Sequence, residues 1–283
     1  MAIVKHGIGF LFVLLASLSL QAQSTSQDIA GIEKQLRQYA DSVMKGSTDK
    51  TRQVALAAFN PVFLDLLNQP GSFDYPFDSL PSVSKVTSAD KKVRIYTWIL
   101  PSREDGTYKF FGIIQRINPE TRQMKVIGLT DLSLPTEEAS VNELKADTWY
   151  GAAYYELIEK KISKKPHYFL LGWKGNDRFS TKKVIDVLTF DAWDNVTFGA
   201  PLFIDEKKLI KHRMIFEFNA QAVMLLRYEK KMIVFDHLSP SSLAVKGQFR
   251  HYGPDFTYDG LQFKKGEWHY KTNLDLRNSG DRR

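Results

Sequence analysis

Two short stretches near the carboxy terminus carry side chains able to move protons or hold a metal. "FDHLSP" (235–240) places Asp236 and His237 at the end of an apolar run, and "RHYGPDFTYDG" (250–260) adds Arg250, His251, Tyr252, Asp255 and Asp259. Folded together, they would let a carboxylate orient His237 as a general base, with Asp236, His251, Asp255 and Asp259 as the catalytic candidates. The same carboxylate and imidazole types also ligate divalent metals. Against this, "GPD" and "YDG" have the composition of turns, where Asp bonds its own backbone and Gly supplies positive φ. His237 then needs no role beyond donating to a neighbouring carbonyl.

A second candidate is "YFLLGWKGNDRFSTKKVIDVL" (168–188), which reads as a strand, a turn and a short helix capped by Ser180 or Thr181. Trp173, Asn176, Asp177 and Arg178 around the turn, with Tyr252 from the later stretch, are its candidate ligand-binding residues. A phosphate-binding loop needs a second glycine followed by Lys and Ser or Thr, and a dinucleotide loop needs three spaced glycines. This turn has Gly175 alone, so a corner is expected, with Asp177 at the positive end of the helix and Arg178 paired to a surface carboxylate. The aromatic residues Trp149, Trp173, Trp193, Trp268, Tyr154, Tyr155, Tyr252, Tyr258 and Tyr270 suit a stacking platform for sugars or bases, or plain core packing.

Other chemistries are excluded by composition. The chain has no cysteine, which removes disulfides, thiolate metal sites and a cysteine nucleophile. No H-E-x-x-H or G-x-S-x-G occurs, and no two of His167, His212, His237, His251 and His269 are spaced i, i+4. No cofactor and no metal site are expected.

The elements that would position these residues follow from periodicity. Residues 1–22, with basic Lys5 and an apolar run from Ile8 to Leu20, have the make-up of a secretory signal peptide. That run falls short of the roughly 20 residues a membrane-crossing helix requires, so no transmembrane segment is expected after cleavage. Residues 23–90 form a helical segment: Ile29, Ile32, Leu36, Tyr39 and Val43 recur at helical steps, with Glu33, Lys34, Arg37 and Asp41 between them. A second helix starts near Thr48 or Asp49 and is expected to break near Asn60, before Pro61. Residues 91–278 form an antiparallel β body of meanders and hairpins, and 279–283 a frayed tail. Within that body "HRMIFEF", "AVMLLRY" and "KMIVFDHL" are expected to form one meander at the centre of the largest sheet. The hairpins at 96–115 and 154–173 have similar aromatic placement, which suggests an internal duplication. The fold class is α+β.

Net charge is +7, but the lysines are scattered in pairs that fall mostly at expected turns, where they keep edges wet. The strings "YYELIE", "YFLLGWKGNDRFSTKKVIDVLTF", "FGAPLF", "RMIFEFNAQAVMLLRYEKKMIVFDHLSP" and "YGPDFTYDGLQF" resemble a family of uncharacterised exported proteins of gram-negative bacteria, over about 149–278. The resemblance implies a periplasmic or secreted location and brings no catalytic residues. With no catalytic motif, the expectation is a non-catalytic binding or assembly module of the envelope. Its partner would be an envelope protein, a glycan or another polyanion, and no nucleic acid is expected. The alternative is an envelope hydrolase or metal-dependent enzyme built on the late Asp/His cluster.

Overall fold

The structure, a computed structural model, describes residues 28–276. The expected signal peptide and the 279–283 tail lie outside the described residues. The chain divides into two units, one ending at Ser82 and the other starting at Val83. No helix among the described residues is long and apolar enough to cross a membrane.

The first unit is helical. Helix α1 (28–45) buries Ile29, Leu36, Ala40 and Val43. Glu33 shares that buried stripe, because four residues after Ile29 returns to the same helix face, although the sequence places it among the polar residues. Its carboxylate accepts from the Tyr75 hydroxyl at 2.9 Å and the Ser79 amide at 2.8 Å, so the buried charge has partners. Helix α2 (Asp49–Leu67) is capped by Thr48, whose hydroxyl accepts the Thr51 amide. The break expected near Asn60 does not occur, and α2 runs through Pro61. A proline inside a helix costs about 3 kcal/mol. Burial of Phe59, Phe63, Leu66 and Leu67, worth about 1.5–3 kcal/mol for each large apolar side chain, outweighs it.

Among the described residues, the second unit contains fifteen strands, one further α-helix and three short 3-10 turns. In chain order the strands and the α-helix are β1 (Ser84–Thr87), β2 (Val93–Pro101), β3 (Tyr108–Ile117), β4 (Met124–Thr130), α3 (Thr136–Val141), β5 (Ala153–Ile162), β6 (Lys165–Gly175), β7 (Ser180–Phe190), β8 (Val196–Phe198), β9 (Phe203–Ile204), β10 (Ile210–Lys211), β11 (Met214–Asn219), β12 (Leu226–Glu229), β13 (Met232–Pro240), β14 (Tyr252–Lys264) and β15 (Glu267–Lys271). They form three sheets with orders β1-β2-β3-β4, β11-β7-β6-β5 (with β8 also on β7) and β10-β9-β15-β14-β13-β12. All strand pairs are antiparallel except β15 with β9. The α+β class with a mainly antiparallel body is therefore observed.

The sheets stack in three layers with the β5–β7 sheet in the middle. Side chains alternate across a strand, so Tyr168 and Leu170 of β6 pack with Ile95, Phe110 and Ile114 of the first sheet. Phe169 and Leu171, on the opposite face, pack with Ile233, Phe235, Leu261 and Trp268 of the third. Strand β6 is apolar at successive positions because both of its faces are covered. Two-residue turns join three of the hairpins: Ser163-Lys164, Lys230-Lys231 and Lys265-Gly266 all have both residues at positive φ, the geometry that matches strand twist.

Three expectations are corrected here. The helix expected at 181–188 is strand β7, paired with β6 from Tyr168↔Leu188 to Gly175↔Thr181. A β-branched run buried on both faces overrides a capping signal that Ser180 and Thr181 only mimic. The meander expected across 212–238 is split between sheets. Strand β11 pairs with β7 and lies at an edge of the middle sheet, whereas β12 and β13 form a hairpin in the third. Residues 220–225 cross between the two layers. "YGPDFTYDG", expected as turns, lies within the long strand β14.

Candidate functional site

The late Asp/His cluster sits where β13 and β14 lose register. Their pairing shifts between Asp236 and Leu238, and opposite it Phe256 adopts a φ of 70°, as at a bulge that re-aims side chains. The shift leaves His237 between two carboxylates. Its Nδ1 is 2.6 Å from Asp259 Oδ2, and its Nε2 is 3.9 Å from Asp255 Oδ2. An ionised carboxylate only accepts, so Nδ1 carries the proton given to Asp259.

Both carboxylates are held by further donors. Asp259, 1% exposed, also accepts from the Tyr270 hydroxyl at 2.6 Å and the Asn273 amide at 3.0 Å. Asp255 accepts from the Ser239 hydroxyl at 2.8 Å and from the amide and hydroxyl of Thr257. Burial disfavours a charged His237 ring, but the hydrogen bond to Asp259 and the charges of Asp259, Asp255 and Glu206 more than offset this and raise its pKa. For Asp255 burial opposes ionisation, and the donors Thr257 and Ser239 overcome it, so its pKa is lowered. Burial and the Asp259 carboxylate push the Tyr270 phenol well up, so it stays a neutral donor.

The other late candidates lie outside this hydrogen-bonded set. The Asp236 carboxylate accepts the Leu225 amide at 2.7 Å and so fixes the start of β12. His251 accepts from Arg250 Nε at 3.2 Å, in a short 3-10 turn. Among the described residues, no three His, Asp or Glu side chains are placed to hold one metal ion. The arrangement is an imidazole oriented by a buried carboxylate, on a side chain that is 34% exposed. That geometry can take a proton from water or a hydroxyl. The nearby Ser239 hydroxyl, however, is directed to Asp255 rather than to the imidazole.

Tyr252, His251 and Asp255, with Asn219, Ser239 and Ser241, line a cavity of about 410 Å³. A neighbouring depression of about 340 Å³ shares Asn219 and His251 and adds Arg178, Phe179 and Arg250. A third, of about 250 Å³, lies on the other side of Ala222 and contains Trp173 and Asp177. The two groups of candidates thus flank residues 220–225. Sequence reading missed Asn219 and Ser239, and offered Tyr270 only as a stacking aromatic rather than as a donor to Asp259, because no spacing in the chain reveals how β11, β13, β14 and β15 are brought together.

Within the 173–178 group the roles differ from expectation. With β7 in place of a helix, Asp177 has no helix end to complement. It accepts the amides of Phe179 and Ser180 at 2.7 and 2.8 Å and so closes the β6–β7 turn. Arg178 pairs with backbone carbonyls of Arg103 and Glu104 rather than with a carboxylate. Asn176 donates to Ser180 Oγ at 2.8 Å, and the Trp173 indole donates to Thr181 at 2.7 Å. Gly175 is required for packing, since a Cβ there would lie 2.3 Å from the Tyr108 ring.

Comparison with known protein families, curated proteins and solved structures finds no match to this chain.

Proposed function

We propose that the chain is an exported envelope protein, of the gram-negative family it resembles in sequence, whose β body binds a ligand without transforming it. The ligand class is a hydroxyl-rich glycan, taken in the 410 Å³ cavity beside Tyr252 and Asp255. One observation carries this: the cavity gathers Asn219, Ser239, Ser241, His251, Tyr252 and Asp255 around a single space. A few convergent polar groups beside an aromatic ring are what orient a bound small molecule. Phe249 packs against Tyr252, ring centroids 5.3 Å apart, and stiffens that wall.

Calorimetric titration of the full chain with soluble envelope glycan fragments, with chromatography of the mixture, tests the proposal. Saturable binding is expected, about tenfold weaker in Tyr252→Ala for the loss of one stacking ring, with no products. Absence of binding would overturn it.

The 2.6 Å His237–Asp259 contact favours a second reading, a hydrolase in which His237 activates water. Products formed by the wild type and lost in His237→Asn would establish that alternative and reject pure binding.

A further inference from the structure

The third depression, of about 250 Å³, has a composition that the glycan proposal does not use. Its walls include Tyr108, Trp173, Phe218 and Met224, and Lys183 is the cation that lines it. Trp173 Nε1 is turned to Thr181, which leaves the indole's apolar surface for packing. Asp177, in the same lining, accepts the Phe179 and Ser180 amides on Oδ1 and the Asn176 side-chain amide on Oδ2 at 3.3 Å.

Lys183 differs from Lys174 and Lys182 of the middle sheet, and resembles Lys160, whose ammonium also meets a tyrosine hydroxyl. Lys174 has Asp131 at 3.4 Å and Lys182 has Glu217 at 3.5 Å, but among the described residues Lys183 forms no ion pair. Its ammonium donates to the Tyr155 hydroxyl at 3.3 Å and lies 4.4 Å from the centre of that ring. An ammonium has three donors, so others remain for a ligand. Burial alone, with no carboxylate acting against it, draws its pKa down. A partly desolvated cation at an apolar cavity is completed by an anion with an apolar body.

We propose that the Trp173–Phe218–Met224 cavity is a second ligand site, which takes a small apolar carboxylic acid with its carboxylate on Lys183. The volume is below the roughly 300–1,000 Å³ of drug-sized sites, which limits the ligand to one ring or a short chain. The site is separate from the glycan cavity and does not depend on that assignment.

Phenylacetate and its neutral counterpart phenylacetamide are the probes, titrated into the full chain at neutral pH by calorimetry and tryptophan fluorescence. Phenylacetate should bind about tenfold more tightly, the worth of one charge-assisted hydrogen bond. Lys183→Met should abolish the preference and Lys183→Arg should retain it, and Trp173→Phe should remove the fluorescence change while calorimetric binding persists. Equal binding of the two probes, no saturable binding of either, or a preference that survives Lys183→Met would each overturn the proposal. So would a fluorescence change that persists in Trp173→Phe.

Discussion

His237 donates from Nδ1 to Asp259 at 2.6 Å, and Asp259 is 1% exposed while the ring is 34% exposed. The folded protein binds the imidazole proton more tightly than the unfolded chain does, because the ring's pKa is raised above 6.5. Its contribution to stability is therefore complete below 6.5 and is lost as pH rises through the raised value. Asp255, with a lowered pKa, acts in the opposite sense, and its contribution fades as pH falls below 3.8. Melting curves of wild type and His237→Gln should differ more near about pH 5 than near about pH 8. A gap that does not change with pH would show that the pair contributes no linked stability.

Arg213 and Asp186 form a second pair, with both side chains 0% exposed and Nε 3.1 Å from Oδ1. Asp186 also accepts from the Tyr154 hydroxyl, and Arg213 donates to the carbonyls of Ala139 and Asn142. Removing one partner of a buried pair leaves an uncompensated charge and costs about 3–5 kcal/mol. Arg213→Met alone should lose about that much in urea unfolding. The double variant Arg213→Met/Asp186→Leu should lose much less than the two single changes together. Additive losses would mean that the pair is not coupled.

Lys174 lies within 4.7 Å of the ring centres of both Phe110 and Tyr150 and donates to the Tyr150 carbonyl at 2.6 Å. Burial brings its pKa down from 10.5 to about 8, against the pull of Asp131. Between those two values the unfolded chain holds the proton and the folded chain does not, so stability increases with pH. The stability of wild type relative to Lys174→Met should rise across that interval. A flat difference in denaturant titrations would contradict the assignment.

Glycines 175 and 128 make a clean contrast. An added Cβ at Gly175 meets the Tyr108 ring at 2.3 Å, whereas at Gly128 nothing lies within 4 Å. Gly175→Ala should destabilise by about 1–3 kcal/mol through overpacking. Gly128→Ala should be neutral or slightly stabilising, since it lowers the entropy of the unfolded chain. Chemical denaturation of the two variants decides the matter, and equal effects would refute the steric account.

Much of the architecture was legible in the chain because it depends on local periodicity. The stripe of Ile29, Leu36 and Val43 marked α1, and the lysine and glycine pairs at 164, 230 and 266 marked real hairpin turns. Strand β7 was misread because "STKKVIDVL" offers a helix cap and a helix-length apolar run. Burial on both faces, which only neighbouring sheets supply, decided for strand. Pro61 was misread for a similar reason, since a local penalty was set against tertiary burial.

Residue type and local pattern by themselves determined the α+β composition, the thiol-free core and the presence of a His/Asp group near the carboxy terminus. Tertiary structure alone decided that β11 leaves its sequence neighbours for another layer, and that Asp259 rather than Asp236 holds His237. It also decided that Lys183 lines a cavity while Lys182, one residue away, meets Glu217. The physical reason is that pairing between distant strands, and which face a side chain takes at a bulge, depend on contacts remote in the chain. Local propensity does not encode them.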